Sequence, residues 1–171
     1  MQSWRPKGET KGTLIVVHGL KDYSDRYSEL AFAAVARGYA VHAFDLRGRG
    51  DSQGDRVWVD RFGDYVSDLS QFVARVQKDE PGKPLLLLGH SMGGAIVTLY
   101  TETEKPKLAG LITSAAALER DAPAGVVEHV SSHDKTHHAF PSLVHDLVHE
   151  PERAQVIKVI VAWLDAHTPA P

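Results

Sequence analysis

Cysteine is absent from all 171 residues, which excludes disulfides, thiolate metal sites and a cysteine nucleophile together. An excess of either charge is also lacking: 19 Lys and Arg stand against 22 Asp and Glu, a formal net charge of -3, with no basic stripe and no acidic tail. The electrostatic footprint of nucleic-acid binding is therefore missing, and small neutral molecules become the default partners. No apolar run approaches membrane-spanning length, and the opening MQSWRPKGETKG has no apolar centre like that of a signal peptide. These absences lead to the expectation of a cytoplasmic protein with no transmembrane segment. No repeat or low-complexity tract is visible apart from a short His-rich stretch. The length suits one substantial core, so residues 1–171 are read as a single domain.

Against that background one stretch stands out, LLLLGHSMGG from Leu85 to Gly94. Four consecutive leucines are too few for a helix face and suit a strand buried on both sides, and Gly-x-Ser-x-Gly follows at once. In a nucleophile elbow Ser91 sits at a tight strand-to-helix turn, with Gly89 and Gly93 removing side chains that would clash with the neighbouring strand and helix. The bare pattern is weak and also fits an ordinary turn. The buried strand before it and the helix-compatible AIVTLYTE after it are the context the motif demands.

The rest of the chain reads as β and α in alternation. Thr13 to Val17 and Tyr39 to Phe44 are short apolar, β-branched or aromatic runs, as is Leu108 to Thr113 after Pro106. Helical spacing is carried by Tyr27, Leu30, Ala31, Ala34 and Val35, then by Phe62, Tyr65, Val66, Leu69, Phe72, Val73 and Val76, and near the end by Val156, Ile157, Ile160, Val161 and Leu164 after Pro151. A weak helix around Val126 to Val130 and a fifth strand from Thr136 to Phe140 complete the reading. The expected fold is α/β, a doubly wound, mostly parallel sheet of about five strands in the order 2-1-3-4-5 in chain order, flanked by helices. Ligands bind such sheets beyond the carboxyl ends of the strands at the switch in winding, so the His18-Gly19-Leu20 loop and Ser91 should face each other across a crevice. An acyl-transfer site needs two N–H donors for the developing oxyanion, and the first candidates are the backbone amides of Leu20 and Met92.

The ten histidines invite a metal reading, because His129, His133, His137, His138, His145 and His149 cluster near the end of the chain. No His-Glu-x-x-His pattern accompanies them, and neither a metal nor any other cofactor is expected. His18 is read as organising its loop, His90 as elbow packing, and Asp45, Arg47 and Gly48 as braces of the DLRGRGDSQGD loop.

With VVHGLKDYSDRYSELA, DLRGRGDSQGDR, LLLLGHSMGGAI and FPSLVHDLVHEPE in place, the chain resembles the α/β-hydrolase superfamily, in its monoacylglycerol lipase and lysophospholipase branch, sometimes grouped with serine aminopeptidases. The resemblance covers most of residues 11 to 155. It implies Ser91 as nucleophile, His145, which precedes DLVHEPE, as base, the amides of Leu20 and Met92 as oxyanion hole, and hydrolysis of carboxylic acyl esters through an acyl-enzyme. Family members are longer, with a helical cap between the fourth strand seen here and the strand bearing the triad acid, and with extra strands near the N-terminus; this chain is expected to lack both. In this chain LAGLITSAAAL passes almost directly into ERDAPAG, as though the cap and that strand had been excised. Asp121 falls at the acid position of the family's Gly-x-x-Asp turn, with Leu118 where the glycine would be and Glu119 in reserve; Asp134 and Asp146 are set aside by their placement. A capless crevice should be open and apolar, which favours a homodimer through the exposed surface. The rival readings are a catalytically silent hydrolase scaffold and a His-metal binding module.

Overall fold

The computed structural model describes residues 1–118 and 132–168. Among these residues five strands form one sheet: β1 (Gln2–Trp4), β2 (Gly12–Val17), β3 (Tyr39–Ala43), β4 (Leu85–His90) and β5 (Gly110–Ser114), in the spatial order β1-β3-β2-β4-β5. β3, β2, β4 and β5 are parallel, with Leu14 level with Val41 and Leu86, and Leu88 level with Ile112. Among these four parallel strands the expected order holds.

The fifth strand does not lie where the sequence places it. Residues 136–140 have irregular backbone, and the sheet gains instead the N-terminal β1, antiparallel on β3 with Ser3 opposite His42. The short run THHAF from Thr136 to Phe140 is compatible with a strand, but the four residues before Phe140 are exposed and supply no buried face. β1 is too short and polar to be read from periodicity. Side chains hold it: Trp4 packs on the core, Ser3 Oγ lies 3.2 Å from His42 Nδ1, and Arg5 pairs with Glu80 at 3.1 Å. The weak helix expected around Val126 to Val130 lies outside the described residues.

Among the described residues four helices flank the sheet. They are α1 (Ser28–Ala36), entered through a 3-10 turn at Ser24–Tyr27, α2 (Gly63–Asp79), α3 (Met92–Glu104) and α4 (Arg153–His167). α4 starts two residues beyond Pro151, which sits in the preceding turn. In β2 the alternation of side chains splits the core in two, because Leu14 and Val16 point to α1 and α4 whereas Ile15 and Val17 point to α2 and α3. β4 divides in the same way, Leu86 and Leu88 from Leu85 and Leu87. A strand covered on both faces reads as a continuous apolar run, which is why LLLL is a strand here. Among the described residues no helix is long and apolar enough to cross a membrane.

Candidate active site

The elbow is built by β4 running directly into α3. Ser91 at the junction has φ 52 and ψ -118, a conformation L-residues rarely adopt outside sites that need it. Two close approaches explain the glycines around it. A Cβ on Gly93 would lie 2.1 Å from Val17 O, and one on Gly89 would lie 2.4 Å from Gly93 O. Backbone bonds hold the turn: Ser91 N–H donates to Ser114 O, and its carbonyl accepts from Gly94 and Ala117, each at 2.9 Å. Serine favours helix capping, yet the Ser91 hydroxyl makes no capping bond to α3, since the reversed φ turns it away from those amides. Ser91 is half-buried at the carboxyl end of β4, and the Met92 amide opens the helix beside it.

Against the elbow lies the loop after β2. A Cβ placed on Gly19 would come within 3.2 Å of Ser91 Cβ, so the two loops touch at the switch between β2 and β4. The His18 ring sets the orientation of this loop. Leu46 N–H donates to His18 Nε2 at 2.9 Å, so the ring proton sits on Nδ1, which donates to Gly19 O at 2.7 Å. Burial pushes this imidazole below its ordinary 6.5, in keeping with a neutral ring. Gly19 O and Leu20 N–H belong to one trans peptide and point opposite ways, so fixing that carbonyl fixes the direction of the Leu20 amide. On the next peptide Arg49 Nε donates to Leu20 O at 2.7 Å.

The DLRGRGDSQGD loop is braced as its glycines and short polar residues suggest. Asp45 accepts from the backbone N–H of Ser24 at 2.7 Å and of Asp51 at 2.9 Å. Burial opposes ionisation of Asp45, but those bonds outweigh it and hold the carboxyl below its ordinary range. Arg47 forks onto Asp68 with two bonds of 2.6 Å. Gly48, at φ 68, donates to Gln53 O at 2.9 Å, and a Cβ there would lie 2.2 Å from Asp55 O.

His145 is exposed on the segment before α4. Its ring lies edge-on to that of His90, centroids 5.1 Å apart, and His90 immediately precedes Ser91. Among the described residues no hydrogen bond joins His145 to Ser91 Oγ, although the ring stands beside the elbow. Apo sites often hold such pairs apart until substrate arrives. His90 is buried, 3.4 Å from Ser114 Oγ, and burial lowers its affinity for a proton. Asp121, Glu119 and His129 lie outside the described residues. His133, His137, His138, His145 and His149 do not converge, since among the described residues no group of three His, Asp or Glu side chains could hold a metal ion.

Several contributors escaped the sequence reading. Arg49 braces Leu20 from within DLRGRGD, the backbone of Ser114 to Ala117 clasps Ser91, and Asp22, Arg26, Tyr27, Asp146 and His149 form one polar network beneath His145. Arg26 and Asp146 are 120 residues apart, a distance no local pattern bridges.

Comparison with known proteins follows the same outline. A family described as Serine aminopeptidase, S33 matches residues 8–126. Monoglyceride lipase of Homo sapiens is 44% identical over 110 residues, 64% of this chain and 36% of that protein. Monoacylglycerol lipase of Mycolicibacterium smegmatis is 33% identical over 115 residues, 67% of this chain and 41% of that protein. Among solved structures, a thermostable carboxyl esterase from Bacillus coagulans superposes with a TM-score of 0.64 at 26% identity, covering 74% of this chain and 42% of the esterase. A soluble variant of monoglyceride lipase from Saccharomyces cerevisiae gives 0.60 at 28% identity, covering 67% and 39%. The chain thus spans between 36 and 41% of the length of these two curated relatives.

Proposed function

The chain belongs to the Serine aminopeptidase, S33 family, and from that premise we propose that it is a serine hydrolase cleaving carboxylic acyl esters. The observation that carries the proposal is Ser91 at φ 52 on a strand-to-helix turn, its hydroxyl not spent on capping, facing the loop of Leu20. Ser91 Oγ attacks the ester carbonyl while His145 accepts its proton as general base. The amides of Leu20 and Met92 receive the oxyanion of the tetrahedral intermediate, and water then cleaves the acyl-enzyme with the same imidazole assisting. Asp121 is the proposed triad acid that fixes the His145 tautomer, with Glu119 in reserve.

The relatives' names support the proposed substrate class. Proteins named as monoglyceride lipases support a monoacylglycerol, and one named as phospholipase from Bacillus subtilis, 28% identical, keeps lysophospholipids and other acyl esters in view. Short soluble esters belong to the same proposed class of acyl substrates. Leu20, Tyr23 and Val144, on the loops that carry the proposed oxyanion amide and the base, are exposed, and a homodimer through this apolar mouth is part of the proposal.

Hydrolysis of a soluble butyrate ester by purified protein is the test. Turnover should increase with pH as the base loses its proton, and Ser91→Ala should abolish it while the circular dichroism spectrum stays that of the parent. Asp121→Asn should cost about 10⁴ in turnover and Glu119→Gln little. Hydrolysis that survives Ser91→Ala would overturn the nucleophile.

A further inference from the structure

His145 is exposed, and the residue after it is tied down on three sides. Asp146 Oδ2 accepts from Arg26 NH2 at 3.1 Å, and its Oδ1 accepts from His149 Nδ1 at 2.6 Å and faces buried His90 Nε2 at 3.5 Å. The anchors are themselves anchored. Arg26 NH1 donates to Asp22 Oδ1 at 3.1 Å, Tyr27 O–H donates to Asp22 Oδ2 at 2.7 Å, and the His149 ring stands edge-on to Tyr27 at 5.0 Å with Nε2 3.2 Å from Arg26 O. Both neighbours of His149 are acceptors, so both contacts are hydrogen bonds only when both ring nitrogens carry protons. The Asp146 carbonyl also accepts from His149 and Glu150 N–H, at 2.8 and 3.1 Å, closing a turn immediately after His145.

We propose that Asp146 and His149 are positioning residues, a clamp that fastens the His145 loop to the 3-10 turn at Ser24–Tyr27 and to the elbow histidine, and so holds the imidazole beside Ser91. Asp146 does not act as the triad acid. It sits next to His145 in the chain, and its two oxygens already serve Arg26 and His149. Burial works against the charge on Asp146, but His149 and Arg26 outweigh it and keep the carboxyl below its ordinary range, so the Asp146 carboxylate is ionised at neutral pH. An exposed ion pair would contribute little; this one is partly buried and part of a connected set reaching the fully buried Tyr27.

The proposal rests on His145 as base, and the experiment separates the two. In the full chain, kcat and KM for a short soluble ester are compared for the parent, Asp146→Ala, Asp146→Glu and His149→Gln, with amide hydrogen exchange followed residue by residue. For Asp146→Ala, kcat should fall on the order of 10²-fold, as a displacement near 1 Å does, with KM within about twofold. Asp146→Glu should recover part of the loss. Exchange should quicken at residues 142–150 while the amides of β4 and α3 stay protected. Unchanged kcat in a folded Asp146→Ala variant, or a loss explained entirely by a lower folded fraction, would overturn the clamp. If the parent itself hydrolyses no ester, the reading of the activity fails and the exchange data still decide: faster exchange in the loop keeps the clamp, unchanged exchange removes it.

Discussion

His18 sits between an N–H donor, Leu46, and a carbonyl acceptor, Gly19, and that pairing dictates both its tautomer and the direction of the Leu20 amide. His18→Ala should therefore cost about 10²–10³ in turnover, the usual loss for one oxyanion donor, and about 1–3 kcal/mol for each backbone group left unpaired. Parallel kcat/KM and urea midpoints check both figures. Gly93→Ala drives a Cβ against Val17 O and should destabilise by about 1–3 kcal/mol while lowering reactivity at Ser91. At this scale the elbow was legible because its chemistry is local: a buried strand, two glycines and a serine within ten residues. The clamp beneath His145 was not, since Asp146 looked like a mere neighbour of a histidine and nothing near it in the chain announces Arg26 or Tyr27.

Strands covered on both faces announced themselves, and helices with one apolar stripe did so as well. α2 buries the predicted residues from Tyr65 to Val76, whereas Phe62, expected on the same face, precedes the first turn and is exposed. Elements that owe their existence to tertiary partners were misread. β1 has three residues and exists because β3 offers an open edge and Glu80 a partner for Arg5. The expected strand at 136–140 failed in the opposite sense: its residues up to Ala139 are exposed and bury no face, and Asp134 just before it bridges to His167 of α4 at 2.8 Å. α4 closes one face of the sheet through Val156, Ile157, Ile160, Val161 and Leu164. Leu164 is fully buried, and Leu164→Ala should cost about 2–5 kcal/mol, measured by the shift in urea midpoint at an unchanged slope.

Over the whole molecule, buried histidines tie stability to pH. Burial pushes His18, His42 and His90 below their ordinary 6.5, although nearby carboxylates partly oppose it. The unfolded chain then binds more protons than the folded one as the pH falls below 6.5, so this contribution is present at higher pH and is lost as pH drops through the folded-state values. Asp45 and Asp146, both held below their ordinary 3.8, add a second loss at still lower pH. Urea midpoints should fall steadily from pH 7.5 toward pH 5 and again below pH 4; a flat profile across the first window would contradict neutral burial of the histidines.

The sheet sets Ser91 against the Leu20 loop, and His145 stands edge-on to His90, the residue before Ser91, so the central claim is that Ser91 is an activated nucleophile. Fluorophosphonate labelling of the intact chain, followed by peptide mass mapping, tests this most directly because the reagent bonds a serine only where a base and an oxyanion site activate it. A single adduct on Ser91, absent in Ser91→Ala and much slower to form in His145→Ala, is the result expected. An unlabelled folded protein, or an adduct on another serine that persists in Ser91→Ala, would contradict it.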